Sequence, residues 1–142
     1  MEEDQTLEFK ETLPARDGSA NIWQLGQDKI GGYARDTLAK EVVAFANAYG
    51  GVIIIGIAEN DEKPPRANNF GDPLIRNCID CVERLGPSLR SLIDPPIAGF
   101  DIRAFPTPGG SGEGLVIIRV AGSTQAPHGV GRPPEAYSAS TG

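Results

Sequence analysis

The sequence is poor in histidine and cysteine, the residues that would announce a zinc centre or a thiol nucleophile. It has one histidine, His128, and two cysteines, Cys78 and Cys81. A structural zinc site takes four such ligands, and the chain has too few to complete one. The C-x-x-C spacing falls inside an amphipathic pattern, not at the end of a strand, so Cys78 reads as core and Cys81 as partly so. No serine or cysteine in a nucleophile elbow accompanies His128, which reads as a loop histidine making a structural hydrogen bond. "GGSGEG" at 109–114 lacks the lysine and the following helix of a P-loop, and reads as turn chemistry.

Long hydrophobic runs are also missing. No segment approaches the ~20 continuous apolar residues of a membrane span. The N-terminus, "MEEDQTLEFK", is acidic where a signal peptide would be basic and then apolar. With no disulfide framework either, a soluble cytoplasmic setting is expected. Basic charge is scarce as well: 13 Lys and Arg stand against 19 Asp and Glu, a net −6. General nucleic-acid binders draw most of their affinity from a basic excess, so such a role here must rest on a local patch.

What is present fits one domain: 142 residues, 39% of them apolar. Thr6 to Leu13 alternates loosely and predicts a short strand. Residues 14–33 mix turn formers with Ile22, Trp23, Leu25 and Ile30, which suggests a packed insertion. Asp36 is placed as an N-cap, followed by a helix whose stripe is Leu38, Val42, Phe45, Ala46 and Tyr49. In "FANAYGGVIIIGIAEN" that helix runs into Gly50 and Gly51, which permit a sharp reversal. Val52 to Ile57 then reads as a central strand covered on both faces, by the helix on one and by the Trp23 insertion or a second subunit on the other.

Asp72-Pro73 predicts the start of a second helix, with a kink or split at Gly86-Pro87 and an end before Pro95. Within it Arg76–Asp80 and Asp80–Arg84 are spaced as surface ion pairs. "AGFDIRAF" and "GLVIIRVAG" read as an antiparallel hairpin. The tail 123–142 is irregular, with one short strand at Ala136 to Ser140. The order β-α-β-α-β-β gives an α+β domain, with two main helices packed on a mixed sheet.

Two clusters bear on chemistry. Glu3, Glu8 and Glu59 would meet if the first strand lies beside the central one, and three carboxylates hold Mg2+ or Mn2+ for phosphodiester cleavage. A solvated acidic terminus is the alternative. On the hairpin, Arg103 and Arg119 point the same way among Leu115 and Ile117, a face suited to a nucleic-acid backbone or a protein partner.

"TLEFKETL" at 6–13 followed by "AFANAYGGVIIIGIAEN" at 44–60 resembles the Schlafen/AlbA-like DNA-binding domain family, as do "LVIIRV", Pro127-His128 and Tyr137. The resemblance spans nearly the whole chain. It implies an AlbA-related α+β fold and nucleic-acid binding, often as the N-terminal module of a transcriptional regulator or ATP-binding protein that continues into further domains. It makes Phe45, Asn47, Gly50, Gly51 and Gly56 structural. It also implies a carboxylate site in which Glu3 and Glu8 match the first two acids, with Glu59 near the third.

Three readings stay open. The first is binding of DNA or RNA, with Lys10, Lys40, Arg66, Arg103 and Arg119 as phosphate contacts. The second is a Mg2+- or Mn2+-dependent nuclease using Glu3, Glu8 and Glu59. The third is a protein-interaction or homodimerisation module.

Overall fold

The computed structural model describes residues 6–16, 19–59, 67–70 and 74–131, with backbone alone for 58–59 and 67–70. Glu3, Arg66, the Asp72-Pro73 cap, Tyr137 and the strand expected at 136–140 lie outside the described residues.

The first strand, β1 (Thr6–Lys10), leads through the insertion to helix α1 (Gly32–Ala46) and strand β2 (Gly50–Ile55). A short ribbon follows, β3 (Ile57–Glu59) with β4 (Ala67–Phe70), then helix α2 (Cys78–Leu92). Strand β5 (Ile93–Asp94), the hairpin β6 (Phe100–Pro106) and β7 (Gly114–Ala121), and β8 (Gly129–Val130) complete the order. The main sheet runs β1-β2-β7-β6, with β1 parallel to β2 and the other neighbours antiparallel. A mixed sheet with helices on it is the expected α+β architecture.

Both helices pack on one side of that sheet. Ile53 and Ile55 of β2, Val116, Ile118 and Val120 of β7, and Phe100 of β6 share a core with Leu38 and Val42 of α1 and Leu85 and Leu89 of α2. The expectation that the insertion covers the second face of β2 fails within this chain. Burial along β2 alternates, with Val52 and Ile54 only half-buried. The insertion that was to cover them joins the helix-side core through Trp23 and Ile30. Trp23 donates its indole N–H to the Arg76 carbonyl, and the Arg76 guanidinium stacks on its ring at 4.7 Å. Such a fully enclosed aromatic contributes roughly 1.5–3 kcal/mol through burial.

Several boundaries move, each for a local reason. α1 starts at Gly32 with Gly31 as N-cap, not at Asp36, because Ala34 already belongs to the buried stripe one turn before Leu38. It ends at Ala46 instead of running to Tyr49, which is 58% exposed and not packed over the strand. Asn47 is the C-cap: its N–H still bonds the Val43 carbonyl, and the next residue tightens to the Phe45 carbonyl. The Asn47 side-chain amide donates to the His128 carbonyl and accepts from the His128 N–H. Gly50 opens β2 at φ +90°, where a Cβ would sit 2.6 Å from the Val120 carbonyl oxygen. The adjacent Gly51 leaves room for the Phe45 ring.

β2 stops at Ile55 instead of Ile57, since Gly56 takes φ +113° and gives its N–H to the Lys10 carbonyl. α2 begins at Cys78, because Ile75 bridges to Gly114 and Asn77 adopts a left-handed conformation. Arg76 therefore precedes the helix, and its expected pairing with Asp80 gives way to Trp23. The helix continues unsplit through Gly86-Pro87, with buried Gly86 set against Ile102.

Gly50→Ala is expected to lose about 2–4 kcal/mol, since it adds left-handed strain to a backbone overlap. Asn47→Ala is expected to lose about 1–3 kcal/mol by leaving the His128 backbone groups unmet. Urea unfolding midpoints check both, and an unchanged midpoint in either case would show that the local structure relaxes freely.

Candidate functional site

The face of the sheet turned away from the helices is built by strand register. Paired residues on neighbouring strands share a face. Leu7, Val52, Arg119 and Asp101 therefore form one row across the four strands. Phe9, Ile54, Ile117 and Arg103 form the next, and Leu115 with Phe105 extends the third. The β1 side of this face is apolar and the β6 side carries the charge.

The arginine side chains are 67% exposed at Arg103 and 65% at Arg119. Between them stands Asp101, 3.0 Å from Arg103 Nε and 3.9 Å from Arg119 Nε. The carboxylate hydrogen-bonds Arg103 through Nε and pairs more loosely with Arg119, and the trio keeps one net positive charge. Leu7 is 54% and Phe105 47% exposed, so the apolar strip is accessible as well. At one end of the face, a groove of about 410 Å3 runs between Gly51, Val52, Gly99, Asp101 and Arg119.

The other candidate residues lie elsewhere. Lys10 and Glu8 alternate onto the helical side of β1. Lys10 Nζ meets Glu41 Oε2 of α1 at 2.9 Å and Glu8 Oε2 at 3.9 Å. The second Glu41 carboxylate oxygen, Oε1, is buried and has no hydrogen-bond partner among the described residues. Lys40 is exposed on α1, also in the helical layer. Arg66 and Glu3 are outside the described residues. Glu59 closes β3, whose backbone runs near β1, but its side chain is not among those described. Among the described residues, no group of three His, Cys, Asp or Glu side chains is placed to hold a metal ion. The described neighbour of the Glu8 carboxylate is the Lys10 ammonium.

His128 is buried and its ring is held at both nitrogens. The Pro95 carbonyl can only accept, so in the neutral ring Nδ1 carries the proton and Nε2 accepts from the Ser123 hydroxyl at 2.6 Å. With Asn47 on its backbone, this residue ties the end of α1 to the segments after β5 and β7. The sequence signal was an asparagine at a helix end and a downstream Pro-His. The roles of Asp101 and Glu41 carried no signal, because both depend on which strands become neighbours.

The structural pieces of both sequence motifs thus meet at one fold. The Schlafen, AlbA_2 family matches residues 3–140. The chain belongs to that family. Membership makes it a nucleic-acid-related domain. Among curated proteins, none matches the chain. Among solved structures it is similar to the DIP2311 protein from Corynebacterium diphtheriae, at 26% identity and a TM-score of 0.48, over 89% of this chain and 19% of that one. No described helix is long and apolar enough to cross a membrane.

The two cysteines of this Schlafen-type domain occupy the first turn of α2, fully buried and free. Desolvation, and to a lesser extent the neighbouring Cys78, pushes the Cys81 thiol up from 9.0 to about 12, and burial also raises Cys78. The core keeps these groups protonated, so their stabilisation is complete below the ordinary thiol value and is lost as pH rises towards the folded value. Between pH 9 and about 12 the Cys81 contribution should fall steadily as pH rises. Urea unfolding from pH 8 upward checks this, with a shallower decline expected for Cys81→Ala and equal slopes counting against it.

Proposed function

We propose that the open sheet face binds single-stranded nucleic acid, as the contact surface of a regulatory DNA- or RNA-binding module. The observation that carries this reading is the juxtaposition of Arg103 and Arg119, both paired with Asp101, with an accessible apolar strip containing Phe9 and Phe105. Arginine guanidinium nitrogens suit phosphate oxygens, and the exposed Phe105 ring suits an unstacked base. A duplex hides its base faces and would leave the strip unused. Family membership supports the nucleic-acid class of partner.

The chain's overall negative charge shapes the expected behaviour. Attraction comes from a patch, so affinity is modest and falls steeply with salt. Lys10, held by Glu41, and Lys40, on the helical layer, stand apart from this interface.

Fluorescence anisotropy with short single-stranded DNA and RNA across a salt series tests the proposal. Arg103→Ala and Arg119→Ala should each reduce the slope of log affinity against log salt by about 0.7, the value of one phosphate contact on a single strand. Phe105→Ala should weaken binding by about 1–3 kcal/mol if a base stacks there. No binding at low salt, or variants indistinguishable from the wild type, would overturn the reading. A homodimer through the same strip is the competing reading, favoured by exposed Leu7. A monomer by light scattering, together with salt-sensitive binding, would exclude it.

A further inference from the structure

A second cationic feature lies in the helical layer, away from the open sheet face. Where the insertion meets α1 and α2, a cleft of about 360 Å3 is lined by Asp28, Lys29, Gly31, Arg35, Arg84 and Ser88. Its size is that of a small-ligand pocket. Three cations converge on it from three separate stretches: Lys29 from the insertion, Arg35 from α1 and Arg84 from α2. Among the described residues none of these three is in an ion pair. Among the described residues the one carboxylate in the lining is Asp28, so the described lining carries an excess of two positive charges.

Two of the cations are pre-oriented. Arg35 donates Nε to the Gly31 carbonyl at 3.3 Å, and one of its terminal nitrogens stands over Gly32, which has no side chain to block the approach. Arg84 rests its guanidinium 5.9 Å from the centre of the Trp23 ring. Terminal guanidinium nitrogens so held lose less freedom on accepting an anion than free side chains do. Ser88 adds a hydroxyl donor in the same lining, and no acidic residue occupies the first turn of α1 to compete.

We propose that this cleft is a phosphate-binding site, in which Lys29, Arg35 and Arg84 hold a phosphate or pyrophosphate group. That group belongs either to a free phosphorylated ligand or to a nucleic-acid backbone. The trio Lys29, Arg35 and Arg84 is distinct from the pair Arg103 and Arg119, so the site stands or falls independently of the sheet-face reading.

Isothermal titration with sodium pyrophosphate at low ionic strength tests it. Saturable binding is expected for the wild type and for an Arg103→Gln/Arg119→Gln variant. A roughly tenfold or greater loss is expected for Arg35→Gln/Arg84→Gln, since charge-assisted hydrogen bonds are removed. Because Arg84 also touches Trp23, Lys29→Gln provides an arm free of that contact, and it too must weaken binding. Competition against a short single-stranded oligonucleotide distinguishes the sources. Displacement that the Lys29→Gln variant weakens assigns the cleft to backbone phosphate, and pyrophosphate binding without displacement assigns it to a free ligand. No saturable binding by the wild type, or undiminished binding by the Arg35→Gln/Arg84→Gln and Lys29→Gln variants, overturns the site.

Discussion

The Asn47 side-chain amide makes two hydrogen bonds to the backbone of a residue 81 positions later in the chain, His128. That clamp anchors the C-cap of α1, where the Asn47 N–H still bonds the Val43 carbonyl before the chain turns towards Gly50. It also fixes where the chain returns after β7, since the His128 ring then reaches Pro95 and Ser123. The start of β2 depends on the same corner. With the helix closed at Ala46, the chain has only a short turn before Gly50, and the left-handed glycine lets it enter the sheet beside β7 without overlap.

A sheet entered in this way receives both helices on one side. Trp23 then finds its place in the helical layer, locked between its hydrogen bond to the Arg76 carbonyl and the stacked guanidinium. The opposite face keeps a half-buried apolar strip and a charged edge. A two-layer arrangement of this kind leaves surface available for a partner, and the domain's grouped cations lie there and in the cleft of the helical layer. Net charge is a poor guide in such a molecule. Nineteen acids outnumber thirteen basic residues over the whole chain, yet register and packing concentrate arginine at particular places.

The E-F-K strand shows how alternation distributes roles. Phe9 faces the open side, while Glu8 and Lys10 face the helices, where Lys10 bridges to Glu41. In the sequence, Lys10 and Arg103 look alike as phosphate contacts. In the fold, one is engaged by carboxylates and the other is exposed, because neighbouring positions on a strand point to opposite sides of the sheet.

The sequence by itself determined the class of fold, the paired glycines as a reversal, the hairpin of β6 and β7, and the common face of Arg103 and Arg119. These follow from local periodicity and from the conformational freedom of glycine, which act over a few residues. Only the tertiary structure decided that β2 has one open face, that Trp23 closes the helical side, that α1 stops at Asn47, and that Asp101 lies between the two arginines. Those outcomes depend on contacts between segments tens of residues apart. Side chains such as Asn47 and Arg76 choose partners that no local pattern names, because the partner exists only once distant strands and loops have been brought together.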